Sequence, residues 1–271
     1  MSDQNSGVIK KFLETPNDNV MKTIIVALVL CLVCSVLVSA SAVVLKPIQE
    51  RNKLLDKQIN ILSVAGLIET GEKPSIAVVD QLFTNIKVKL VDVETGEYFD
   101  GIEASGYDQK KASKDPELNV VIPRKQDIAR IKTRAKYAAV YLAQSEQGEL
   151  ETIILPIKGY GLWSTLYGFI AVAPDGQTVK GISFYAHAET PGLGGEVDNP
   201  KWKALWRGKK LYSEQGELKL TVIKGKAVAG HEHHVDGLSG ATLTSVGVAN
   251  LIKYWMGEQG FAQYLARFNN S

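Results

Sequence analysis

Cysteine is nearly absent from this chain of 271 residues. There are two, Cys31 and Cys34, and none from residue 46 onward. No disulfide framework or thiolate metal cluster can therefore organise that long remainder. An excess of charge of one sign is missing as well: 31 Lys and Arg face 29 Asp and Glu, a formal net charge of +2. That balance argues against nucleic acid as a partner. Internal repeats and low-complexity stretches are absent, and with 45% hydrophobic and 22% charged residues the composition is that of a folded domain. No Gly-x-Gly-x-x-Gly unit and no nucleophile triad can be read along it. Nothing in the sequence thus marks an NADH site or a catalytic triad.

One segment departs from the average. Thr23–Leu45 carries no charged residue, is flanked by Lys22 and Lys46, and is followed by Pro47. Its length exceeds the roughly 20 residues that a membrane-spanning helix needs. Ser39-Ala40-Ser41-Ala42 offers a signal-peptide alternative, but the apolar core of a signal peptide runs only about 7–15 residues. The length favours an uncleaved anchor. Cys31 and Cys34 share one face of it and read as small packing residues. Lys10, Lys11 and Lys22 on one flank nearly balance Lys46, Arg51, Lys53 and Lys57 on the other, so charge alone does not orient the span.

The remainder reads as α+β. Residues 1–22 form a polar tail in which Val8, Ile9, Phe12 and Leu13 make one amphipathic turn. Residues 46–80 read as a helical linker, with Leu54, Leu55, Ile59 and Leu62 at helical spacing and a break over Thr70–Pro74. Residues 81–271 read as one mixed domain. Ile86–Val93 alternates as a strand does. Tyr137–Leu142 and Glu151–Ile157 flank a turn at Ser145–Gly148, and Gly168–Ala173 and Thr178–Tyr185 flank Pro174–Gln177. These are hairpin signals, so a largely antiparallel sheet is expected, with closing helices over Ser245–Met256 and about 258–268. The basic run from Arg124 to Lys136 has no aromatic ladder and reads as a solvated face.

Two stretches carry chemistry. Asp236-Gly237-Leu238-Ser239-Gly240-Ala241-Thr242-Leu243-Thr244-Ser245 brings small hydroxyl residues to the start of a helix, where unpaired N–H groups and a positive dipole suit a phosphate. Ordinary helix capping explains the same residues. Glu189-Thr190-Pro191-Gly192-Leu193-Gly194-Gly195 follows a strand, and its glycines permit positive φ or close approach of a ligand. A tight loop explains that equally. His231, Glu232, His233 and His234 lack the spacing of a helical zinc motif; His231 and His233 would share a face of an extended segment, two ligands at most, so no metal site is assigned.

Taken together, the two stretches resemble the FMN-binding domain family. Asp236-x-x-Ser239-Gly240-Ala241-Thr242 matches its covalent attachment motif, Glu189–Gly194 its second signature, and both lie below a single N-terminal anchor. The arrangement is similar to the C subunits of sodium-translocating NADH:quinone reductases. The G subunits of Rnf-type ferredoxin:NAD reductases share the anchor and both motifs. Gly159-Tyr160-Gly161-Leu162-Trp163 and the paired Trp202 and Trp206 favour the former. The resemblance implies FMN joined through its phosphate to Thr242 by a flavin transferase that reads Asp236. It also implies a domain on the periplasmic side of a bacterial inner membrane, and partner subunits that hold the NADH and quinone sites. On that reading Leu193, Tyr160 and Trp163 wall the ring, although Trp163 suits a core equally. Glu189 and Thr190 hydrogen-bond the ring or ribityl chain, and the N–H groups from Gly240 to Ser245 meet the phosphate. The alternative outside redox chemistry is an anchored binding or assembly domain whose Ser-Gly-Ala-Thr loop only caps a helix.

Overall fold

A computed structural model describes residues 14, 16, 19–69, 71, 72 and 74–269. The amphipathic turn expected in the N-terminal tail lies outside these residues. The chain divides into two compact units between Leu54 and Leu55.

Helix α1, Val20–Ala65, begins in the first unit and ends in the second. Asn19 starts it, accepting from the N–H groups of Met21 (2.9 Å) and Lys22 (3.2 Å), as an N-cap amide does. It is long and apolar enough to cross a membrane, and Leu28, Leu32 and Leu37 point outward. Outward apolar side chains with every interior backbone group paired are what lipid demands. Pro47 sits inside this helix and does not end it. It forfeits one N–H bond to the preceding turn, and helical residues on both sides carry the helix through.

The second unit is built on a five-stranded sheet. Its strands are β1 (Ile86–Asp92), β4 (Tyr137–Gln144), β5 (Leu150–Tyr160), β6 (Thr165–Val172) and β7 (Val179–Ala186). They lie in the order β1-β4-β5-β6-β7, antiparallel throughout. The hairpin turns fall where the sequence signals them. At Pro174–Gln177, Asp175 accepts from Gln177 N and Thr178 N, and Gly176 takes φ +66°. Short strands β2 (Asn119–Val121) and β3 (Thr133–Ala135) form a side ladder, and β8 (Thr221–Val222) and β9 (His234–Val235) make a parallel contact.

Period-two alternation gives the sheet two buried faces. Ile153, Leu155 and Ile157 of β5 join a core with α5 (Thr242–Trp255), through Val248, Leu251 and Trp255. Ile154 points the other way, to a core made by Ile61, Leu62 and Val64 of α1 and Val79 of α2 (Ile76–Phe83). The short helices α3 (Gln109–Ala112), α4 (Pro200–Ala204) and α6 (Ala262–Ala266) complete the unit. The last is shorter than the expected 258–268, because residues 258–261 form turns after Gly257.

The basic run differs from expectation. Arg134 is buried and donates from Nη1 to the Ala135 carbonyl (3.2 Å). Arg130 and Lys132 adopt φ +56° and +62°. The Asp127 carboxylate holds that turn, accepting from Ile131 N and Lys132 N at 2.8 Å each. Part of this run is structure rather than solvated surface.

Candidate functional site

The site forms where the N-terminus of α5, the turn between β5 and β6, and the loop after β7 meet. Helix α5 starts at Thr242, three residues before the expected Ser245. Its N-cap is Ala241, which has no side-chain cap bond. The three motif hydroxyls that lie in the helix therefore have different fates. Thr244 is buried and donates to Glu189 Oε2 (2.8 Å). Ser245 is buried, accepts from Leu238 N (2.8 Å) and donates to the Ala241 carbonyl (3.1 Å). Thr242, the first residue of the helix, is exposed, and its hydroxyl makes no hydrogen bond among the described residues. Of the N–H groups expected to face a phosphate, Ala241 donates to Leu238 and Ser245 to Ala241. The first-turn groups of Thr242, Leu243 and Thr244 have no acceptor among the described residues, as is ordinary for helix-start donors.

Ser239 and Gly240 are exposed, and Gly240 has φ +71°. A Cβ on Gly240 would lie 3.0 Å from Leu193 Cδ2, so the bare glycine lets Leu193 lie close to the motif. Leu193 is 44% exposed, Leu243 60% and Trp163 67%. Trp163 is therefore no core residue. Leu162 and Val246 are exposed too, so both the β5–β6 turn and the first turns of α5 present apolar surface. Tyr160 is half-buried, donates to the Trp163 carbonyl (3.3 Å) and lies under the Arg130 guanidinium (4.8 Å to the ring centre).

Glu189 is a buried carboxylate with five donors. Oε1 accepts from Trp163 N (3.0 Å), Ser164 N (3.1 Å) and Ser164 Oγ (3.2 Å), and Oε2 from Leu162 N (3.2 Å) and Thr244 Oγ1. Burial pushes its pKa up. The bonds from Thr244 and the three N–H groups outweigh burial and hold it below the usual carboxylate value. A depressed folded value stabilises the fold above the unfolded pKa of about 4.3, and that contribution is lost as pH falls through the folded value. The expected hydrogen bond from Glu189 to a flavin finds its acceptor positions already filled. Thr190 has its carbonyl engaged by Leu193 N and Gly195 N, while its side chain is exposed.

Glycines make this closure possible. A Cβ on Gly161 would stand 2.7 Å from Glu189 Oε1, and one on Gly194 2.6 Å from Thr244 Oγ1 and 2.7 Å from Glu189 Oε2. Gly194 is thus needed for approach to the protein's own groups. Gly192 differs: it takes φ +75° with open space around it. Asp236 joins the motif to the loop before it, accepting from Ala227 N (2.8 Å), while its carbonyl accepts from Trp202 Nε1 (2.8 Å). His187 accepts at Nδ1 from Glu189 N (3.2 Å) and pairs at Nε2 with Asp198 (2.6 Å), which fixes the neutral Nε2–H tautomer. His231 stacks on His234, ring centres 3.6 Å apart, and meets the His233 ring edge-on at 6.2 Å. Among the described residues no group of three or more His, Cys, Asp or Glu could hold a metal.

The FMN-binding domain model matches residues 161–257, a span that opens at Gly161 and closes just after α5. The C subunit of the Na(+)-translocating NADH-quinone reductase of Pseudomonas aeruginosa is 53% identical over 253 residues, covering 92% of this chain and 96% of the relative. The Yersinia pestis C subunit is 46% identical, covering 93% and 94%. The chain belongs to the family of Na(+)-translocating NADH-quinone reductase C subunits. This decides between the two families that the motifs left open. The crystal structure of Shewanella oneidensis NqrC superposes with a TM-score of 0.73 at 35% identity, over 82% of this chain and 99% of that one. That of the Parabacteroides distasonis C subunit gives 0.58 at 29% identity, over 79% and 96%. The fold of this family thus accounts for the antiparallel sheet and its flanking helices.

Of the residues that sequence reading named, Tyr160 bonds to Trp163, Leu193 lies beside Gly240, and Glu189 ties the Trp163 turn to Thr244. The same reading missed Arg130 over Tyr160, and Leu243 and Val246 as exposed neighbours of Thr242. The signal for the latter pair was their spacing: Val246 follows Thr242 by four residues, one turn along the same helix face, and Leu243 lies three residues before Val246.

Proposed function

We propose that this protein holds FMN as a phosphoester on Thr242 and relays electrons within a membrane-bound, sodium-translocating NADH:quinone reductase. The observation that carries the reading is the Thr242 hydroxyl: exposed, unbonded among the described residues, and first in a helix whose other two motif hydroxyls are consumed by the protein. The residues present fit the group. A phosphodiester retains one negative charge, which the first turn of α5 favours. Leu193, Trp163 and Tyr160 suit a flat, largely apolar ring, and Leu243 and Val246 extend that surface. When bound, FMN supplies the redox chemistry. The chain's own task is to hold it: Gly240 leaves space for Leu193, and Glu189 keeps Trp163 and α5 together. No carboxylate or imidazole bonds to Thr242 Oγ1 among the described residues, so nothing there activates the hydroxyl, and a separate flavin transferase forms the ester. Residues 81–271 constitute the FMN-binding part, and the NADH and quinone sites belong to partner subunits. Protein purified after co-expression with a flavin transferase should stay yellow after denaturation and gain the mass of one FMN less water. A colourless denatured chain would refute the covalent reading.

Asp236 is proposed as the carboxylate the transferase reads. Asp236→Asn keeps an acceptor for Ala227 N and removes only the charge, so it should lower flavin loading with an unchanged melting temperature. Asp236→Ala also loses the bond to Ala227, at a cost of about 1 kcal/mol. Full loading of both variants would leave Asp236 a purely structural residue.

We further propose that residues 1–22 are cytoplasmic and that the domain is periplasmic on a bacterial inner membrane. The lack of cysteine after residue 45 suits an oxidising compartment. Alkaline phosphatase fused to the C-terminus should be active, and protease should digest the domain in spheroplasts. A protected domain would invert the orientation.

A further inference from the structure

We infer that Glu189 is a positioning residue, a buried carboxylate that fixes the Leu162–Ser164 turn, and with it Trp163, against the first turn of α5. Its consequence for the cofactor rests on the proposed attachment at Thr242. A carboxylate offers about four lone-pair directions, and five donors already point at this one. It has no acceptor left for a ligand without giving up a bond to the protein. Those donors come from two segments, the β5–β6 turn and α5, while Glu189 itself stands in a third, after β7. Gly161 and Gly194 remove side chains that would otherwise meet each of its oxygens. The arrangement is closed from behind as well: Ser164 Oγ accepts from Ala188 N (2.7 Å), and Glu189 N is held by His187, which Asp198 and then Lys203 (3.3 Å) brace. Three consecutive N–H groups, those of Leu162, Trp163 and Ser164, depend on this one side chain. In glutamine an NH₂ replaces one oxygen and faces donors, so Glu189→Gln breaks the link at nearly constant volume. Thr244→Val removes the hydroxyl arm alone, and Thr244→Ser restores it.

Amide hydrogen exchange on the full-length, flavin-free protein reads the link without any cofactor. In Glu189→Gln the 162–164 amides should exchange about tenfold faster or more, as expected for buried donors left unpaired. The amides of β4 and of the second half of α5 should not change. Thr244→Val should show a smaller rise and Thr244→Ser none. In the flavin-loaded protein, the absorbance maximum and midpoint potential should shift in Glu189→Gln and Thr244→Val and return in Thr244→Ser. Unchanged exchange at 162–164 overturns the link. A rise spread evenly over the whole domain reduces Glu189 to a general stabiliser and overturns it too. Faster exchange with an unshifted potential and spectrum overturns the consequence for the cofactor. Should Glu189→Gln not fold, the Thr244→Val and Thr244→Ser pair gives the same decision. A wild-type protein that takes no flavin would instead refute the attachment at Thr242, while the exchange result would still stand.

Discussion

Thr242→Ala is expected to abolish covalent flavin while leaving stability within about 0.5 kcal/mol of wild type, the usual range for an exposed substitution. The structure sharpens this expectation. Thr242 is not the cap of α5, since Ala241 holds that position, and its hydroxyl has no partner among the described residues. Its removal therefore breaks nothing in the fold and takes away the one exposed hydroxyl at the start of the helix. The readout is flavin fluorescence of the protein on a denaturing gel, alongside thermal melting. Thr244→Ala and Ser245→Ala are the informative controls. Both should retain the label, because neither hydroxyl is exposed to accept a phosphate. Both should also lower stability by about 1–3 kcal/mol, because Thr244→Ala removes a hydrogen bond to a charged group and Ser245→Ala leaves the buried Leu238 N unpaired. A fluorescent Thr242→Ala band would overturn the assignment. Loss of label in Thr244→Ala with full label in Thr242→Ala would move the acceptor inside the fold.

The sheet was legible because its information is local. Alternation over Ile86–Val93 and the turn residues at 145–148 and 174–177 specify strands and hairpins with no knowledge of the rest of the chain. The apolar helix was legible from composition alone. The start of α5 was not. A Ser/Thr-rich stretch suggests a side-chain cap at Thr244 or Ser245, but both are drawn inward by partners that no local pattern reveals. Glu189 shows the reason most plainly: its partners lie 25 to 27 residues before it and 55 after it. A lone Glu in a Gly-rich loop reads as a ligand-binding group until those distant segments close on it. For Trp163 the sequence leaves two readings open, a wall of the site or a core residue. Aromatics are commonly core residues, and only the placement of the β5–β6 turn shows that this ring faces outward. Arg134 reads as one more surface cation in a basic run until strand β3 carries it inside.

Gly194→Val is expected to be the most destabilising change at the site, and its comparison with Gly192→Val separates two physical reasons for glycine. At Gly194 the obstacle is steric. A Cβ would sit 2.6 Å from Thr244 Oγ1 and 2.7 Å from Glu189 Oε2, and valine adds two methyl groups beyond it. Forcing that volume into a closed contact costs about 1–3 kcal/mol. Separating the Thr244 hydroxyl from a buried carboxylate adds about 1–3 kcal/mol. The sum is a substantial part of a stability of about 5–15 kcal/mol. For a unit of this size each kcal/mol corresponds to about 2–4 °C, so the melting temperature should fall by about 4–24 °C. At Gly192 nothing lies within 4 Å, and only φ +75° opposes a side chain. That strain costs about 1–2 kcal/mol, and Asn, which enters the left-handed region more readily, should recover part of it. Gly194→Asn should recover nothing, since its obstacle is volume rather than φ. Thermal melting of the four variants decides the matter. If valine costs the same at both positions, or if Asn relieves Gly194 as it does Gly192, then the close approach to Glu189 and Thr244 is not what requires glycine there. The role of that buried carboxylate in holding the first turn of α5 would fall with it.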